Sequence, residues 1–110
     1  MNQEQKFGLS NGDLEATLDI LKKHPKITGV ILFGSRAKGN FSPGSDIDLA
    51  LLGKHICLQD ILDLYVELDE LYLPYKFDLL IYEQIKEKAL LEHIRRVGKV
   101  LYDNTGALVY

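Results

Sequence analysis

Two short apolar runs, separated by a stretch in which neither helix nor strand continues comfortably, set the main constraint on how this chain folds. Ile27-Thr-Gly-Val-Ile-Leu-Phe33 is β-branched and apolar and ends at Gly34, the pattern of a buried strand. Asp46-Ile-Asp-Leu-Ala-Leu-Leu52 is a second such run. Between them, Gly34 to Ser45 is dense in glycine, serine and asparagine and carries a Pro43-Gly44 step, so it is predicted to be a turn.

The remainder alternates in period. Ser10 followed by Asp13 resembles a capping box, and Leu14, Leu18 and Leu21 recur at helical spacing until Pro25, which predicts a helix over about 11–24. Leu58, Ile61, Leu62, Tyr65, Leu68 and Tyr72 predict another, running to about Leu73 before Pro74. Lys76-Phe-Asp-Leu-Leu-Ile-Tyr82 reads as a third strand. Ile85, Ala89, Leu90, Ile94 and Val97 mark a last helix, with Arg95 and Arg96 in its final turn and Gly98 as its stop. This order predicts an α/β (α+β) fold, a small mixed sheet with helices packed on one side.

With 110 residues, 46% of them hydrophobic and 26% charged, the chain can bury a core without disulfides or a structural metal. It is expected to be one domain spanning 1–110, with 1–9 a loose leader and 104–110 a tail. Its single cysteine, Cys57, excludes an internal disulfide and any multi-cysteine metal site. Thirteen basic residues against sixteen acidic ones, a net charge of −3, exclude a strongly basic nucleic-acid coat. No apolar run approaches the ~18 residues of a membrane span, and the start Met-Asn-Gln-Glu-Gln-Lys has no signal-like character. A cytoplasmic protein without a membrane partner is expected.

Three aspartates stand where a strand would ordinarily be apolar. Asp46 and Asp48 are two apart, so on a strand they share one face, while Ile47, Leu49 and Leu51 take the other. Asp78 interrupts Phe77-Asp-Leu-Leu-Ile81. Neighbouring carboxylates repel one another, and divalent metal is the obvious compensating charge. A lone Asp-x-Asp is more often a solvated strand end. The glycine-rich turn before it and the third aspartate after it make the set more specific. At Gly34-Ser35 the backbone can approach a phosphate closely, with turn amides, the Ser35 hydroxyl and the charges of Arg36 and Lys38 beside it. The stretch is not a Walker A loop, because Asn40 and Phe41 stand where Lys and Ser/Thr are required, and there is no G-x-G-x-x-G.

Taken together, Val30-Ile-Leu-Phe-Gly-Ser-Arg-Ala-Lys-Gly39 and Ser45-Asp-Ile-Asp-Leu-Ala50, with ten residues (36–45) between Ser35 and Asp46, resemble the signature of the DNA polymerase β-like nucleotidyltransferase superfamily. The resemblance is closest to its single-domain minimal nucleotidyltransferases. It implies two Mg2+ ions held by Asp46, Asp48 and Asp78, which are then the catalytic residues, and ATP as nucleotide donor. Gly34 and Ser35 would hold the triphosphate, with Arg36 as electrostatic support. It further implies a partner, a helical HEPN-type ribonuclease toxin encoded nearby, to whose tyrosine AMP is transferred, with this chain as antitoxin in a hetero-oligomer. A non-catalytic antitoxin that masks its partner, and a transferase acting on a small molecule, remain open readings. Nothing in the sequence points to nucleic acid.

Other polar residues read more simply. His24, His55 and His93 lack metal-ligand spacing and are expected to be structural or surface groups. Cys57 is expected to be a small buried residue, and Tyr65, Tyr72 and Tyr82 to belong to the core. Lys86, Lys88, Arg95, Arg96 and Lys99 fit a solvated helix face.

Overall fold

The structure, a computed structural model, describes residues 5–105. A short hairpin, β1 (Gln5–Lys6) and β2 (Leu9–Ser10), leads directly into α1 (Asn11–Lys23). The Ser10 hydroxyl accepts the Asp13 amide at 3.1 Å and so caps the helix, as the spacing predicts. The chain then runs through β3 (Gly29–Phe33), α2 (Gly34–Lys38), β4 (Ile47–Leu52), α3 (Leu58–Asp69) and β5 (Phe77–Ile81). A 3-10 turn at Tyr82–Gln84, α4 (Lys88–Val97) and β6 (Lys99–Asp103) complete it.

The main sheet has the order β5-β4-β3-β6 and is mixed. β3 pairs antiparallel with both β4 and β6, whereas β4 and β5 run parallel, joined by the α3 crossover. All five residues of β3 are buried, which explains an unbroken apolar run in place of alternation. Val30, Leu32, Leu49, Leu51 and Leu79 face α1 and α3 and pack with Leu21, Ile61, Leu64 and Leu68. Ile31, Phe33 and Ala50 face the other way and meet Ile94 of α4.

That second cluster corrects one expectation. The helices cover both faces of the sheet, because α4 returns across the face opposite α1 and α3. Three further elements differ from the sequence reading. Residues 5–9 of the expected leader form the hairpin together with Ser10, and Leu9 is buried. Five residues of the expected turn wind into α2. Gly98 does stop α4, its amide donating to the Ile94 carbonyl at 2.8 Å, but β6 follows at once. The rest of the expected leader (1–4) and most of the expected tail (106–110) lie outside the described residues.

Both ends of α3 are pinned from outside the helix. At its start, the Asp60 carboxylate accepts the Cys57 amide at 2.9 Å and the Lys26 ammonium at 2.9 Å, and it lies 3.3 Å from His24 Nε2. Near its end, the Tyr65 hydroxyl accepts the Leu79 amide at 2.9 Å, covering a backbone donor on the edge strand β5. Cys57 is exposed rather than buried, since it caps α3 and its thiol donates to Asp60 at 3.3 Å. Among the described residues no helix is long and apolar enough to cross a membrane.

Candidate active site

The parallel register sets Asp48 directly beside Asp78. The antiparallel register sets Asp48 beside Phe33, the residue before Gly34. Three sequence-distant segments thus meet at one end of the sheet, on the face that α4 covers. Asp46 lies just ahead of β4 at the exposed mouth, Asp48 is half-buried and Asp78 is exposed on the edge strand.

Electrostatics separate the three. The Asp48 pKa is pushed up to about 6, first by burial, then by the charges of Asp78 and Asp46, and by a side-chain hydrogen bond with Asp78. Arg36 opposes the rise without cancelling it. The protein alone therefore leaves negative charge uncompensated here. Among the described residues no three His, Cys, Asp or Glu side chains, Asp46, Asp48 and Asp78 included, are grouped so as to hold a metal ion by themselves. An oxygen donor set of this kind suits magnesium, which takes one or two carboxylates and completes its shell with phosphate oxygens and water.

Gly34 fits the same purpose. Its φ is +74°, and a Cβ on it would collide with Asp48 Oδ2, so both backbone conformation and space require glycine. Ser35 follows in the first turn of α2, half-buried. The Gly34 amide is engaged within the protein: it donates to His93 Nε2 at 3.1 Å. The accepting nitrogen must be the unprotonated one. His93 is further held edge-on against the Phe33 ring, centroids 6.3 Å apart. Sequence reasoning missed this residue. No local pattern ties a histidine on α4 to a glycine 59 positions earlier, and only its place among apolar neighbours at helical spacing hints that it faces inward.

Arg36 calls for a correction. Its side chain is 1% exposed. It donates to the carbonyls of Ser45, Phe7 and Pro43, with the best contacts at 2.9 Å to Ser45 and Phe7. Phe41 and Tyr75 flank the guanidinium at 5.3 and 5.1 Å. So placed, it is not free to grip a triphosphate. It positions the turn that carries Asp46 and ties the N-terminal hairpin to it. Lys38 is exposed, as a solvated loop lysine would be.

Residues 15–106 match the family described as Polbeta: Polymerase beta, Nucleotidyltransferase. The chain belongs to this nucleotidyltransferase family. Among solved structures, a toxin–antitoxin complex with AMP-PNP aligns at 24% identity and TM-score 0.69, covering 82% of this chain and 73% of that one. A variant of the MntA–HpeT toxin–antitoxin pair aligns at 26% identity and TM-score 0.64, covering 78% and 68%. A tri-AMPylated Shewanella oneidensis HEPN toxin in complex with MNT antitoxin aligns at 21% identity and TM-score 0.64, covering 86% and 72%. This nucleotidyltransferase therefore has the fold found in such antitoxins. No curated protein is significantly similar to it.

Proposed function

We propose that this nucleotidyltransferase transfers AMP from ATP to a hydroxyl, that of a tyrosine on a helical HEPN-type partner, and so acts as an antitoxin. The observation carrying this reading is the in-register pair Asp48 and Asp78 beside Gly34, with the Asp48 pKa raised to about 6. A site that retains such repulsion is built to receive positive charge. The structural neighbours crystallised with AMP-PNP and with an AMPylated HEPN toxin support the donor and the acceptor.

In this reading Asp46, Asp48 and Asp78, together with the triphosphate oxygens, would hold two Mg2+ ions, which would neutralise the triphosphate and stabilise the entering and leaving oxygens. Gly34 and Ser35 give the phosphates close approach to the backbone. Asp78, at the open edge, takes the proton of the acceptor hydroxyl as its oxygen bonds to the α-phosphorus. The bond from that phosphorus to the bridging oxygen breaks, and pyrophosphate leaves. Orienting the acceptor in line supplies much of the acceleration, and with Asp78 exposed the acceptor must be brought by the partner.

Incubation with the partner, magnesium and α-labelled ATP, followed by intact mass analysis, tests this. The partner should gain AMP units, and Asp46→Asn should abolish the gain. A tight, neutralising complex whose partner keeps its mass would make the chain a masking module. Transfer to a small molecule with no change in the partner would move the acceptor instead.

A further inference from the structure

Outside the carboxylate site, the surface feature that most departs from an ordinary exterior lies on α3. Leu58, Leu62 and Val66 are 68%, 48% and 60% exposed. Scattered exposed apolar residues are normal, but these three recur at i, i+4 and i+8. That spacing gives a continuous stripe along one helix flank, winding slowly as a packing seam does. The stripe adjoins an open groove of about 450 Å³ at the β5 edge, lined by Ile61, Leu79, Ile81, Ile85 and Leu90 together with Leu58.

The opposite border is acidic. Asp63, Glu67 and Glu70 are exposed beside the stripe, and the sequence from Leu58 to Glu70 contains no lysine or arginine. This charge decides between occupants. Two copies meeting through the stripe with their α3 helices antiparallel would set acidic rim against acidic rim, and with the helices parallel the acidic rim would meet only Lys86, itself beside Glu87, on the groove side. An anionic membrane surface would be repelled likewise. β-strand addition along β5 is hindered where Tyr65 takes the Leu79 amide.

We infer that the Leu58–Leu62–Val66 stripe of α3, with its groove and acidic border, is a docking surface for an amphipathic helix of a partner protein whose apolar face is flanked by lysines or arginines. The seam supplies apolar contact, and the rim sets orientation and speeds encounter. The stripe lies across the sheet from the face that carries Asp48, and its groove rounds the β5 edge to Ile85 and Leu90 on that face. The inference rests on the proposed function only for the identity of the protein that supplies the helix.

The test uses the full chain and two stapled helical peptides, each with leucines at i, i+4 and i+8, one flanked by lysines and one by glutamates. The lysine peptide should bind and shift the amide resonances of α3, and the glutamate peptide should not. Leu62→Glu and Val66→Glu, both exposed positions, should each weaken binding at least about tenfold, while thermal unfolding and ATP binding stay unchanged. Asp63→Lys with Glu67→Lys should reverse the preference between peptides. Equal binding of both peptides, or full binding by Leu62→Glu, overturns the inference. So does self-association of the wild type that Leu62→Glu abolishes, which would make the occupant a second copy. Because ATP binding is read on the same samples, failure of the docking surface is distinguishable from failure of the nucleotide site.

Discussion

Asp48 and Asp60 are the same residue type placed in opposite circumstances. Asp60 at the start of α3 is surrounded by donors: Lys26, the Cys57 amide, the Cys57 thiol and His24 all converge on one carboxylate. The Lys26 ammonium, followed by the Cys57 amide, holds its pKa well below the usual carboxylate range. Asp48 faces burial and two like charges, and its pKa rises to about 6. The first aspartate stabilises the fold by being ionised. The second is tolerated by the fold while ionised, and waits for charge from outside. A carboxylate's partners, more than its presence in an apolar segment, separate a structural role from a functional one.

The largest expected effect sharpens that contrast. Asp48→Asn should lower AMP transfer at least about 10²-fold, the scale of losing one charge-stabilising group, while the metal-free protein melts no lower than wild type. A marked fall in melting temperature would place Asp48 with Asp60 as a structural residue. Next, Asp60→Ala should lower the melting temperature by several degrees, since it strips Lys26 and the α3 cap of their shared acceptor. Transfer per folded molecule should hardly change, measured below the new transition.

pH separates the two more gently. For Asp48 the folded pKa is raised from 3.8 to about 6, so its stabilising contribution is complete below 3.8 and is lost as pH rises through 6. For Asp60 the shift is downward, so its contribution is present above 3.8 and is lost only as pH falls below that. Without metal, wild-type melting temperature relative to Asp48→Asn should therefore rise as pH is lowered from 7 to 5. An unchanged difference across that window would contradict the repulsion at Asp48. The smallest effect is expected at His93. His93→Ala should speed hydrogen exchange of the Gly34 amide and lower transfer modestly, with little change in melting temperature. Unaltered exchange would show that the contact does not hold the turn.

Much of this was legible in the sequence for physical reasons. β3 and β4 are short apolar runs bounded by turn formers, and α1 has a cap and a proline stop. The interval between Ser35 and Asp46 is local, so the motif survives without knowledge of the fold. What was not legible depends on tertiary partners. β6 lies on the sheet edge with Lys99 and Val100 exposed, so it lacks the apolar density that marks β3. α2 is too short to show a period, and its own Arg36 anchors it to carbonyls outside the helix. The burial of Arg36 was not legible either, because a charged residue in a glycine-rich turn gives no sign in sequence that carbonyls from Phe7, Pro43 and Ser45 will enclose it. The helices lie on both sides of the sheet because the path of α4 is set by Ile31 and Ala50, which are indistinguishable in type from residues on the other face.

The parallel pairing of β4 with β5 also carries a consequence for how the chain folds. Antiparallel β3 and β4 are joined locally through α2, and between them they carry only Asp46 and Asp48, neighbours in sequence. Asp78 meets Asp48 only after the whole α3 crossover has closed, the costlier non-local step. The Asp48–Asp78 contact is thus absent from any species that holds only β3 and β4, and its repulsion opposes the docking of β5. Residues placed for chemistry thus work against the pairing of β5 with β4, and a cation between Asp48 and Asp78 would favour that pairing.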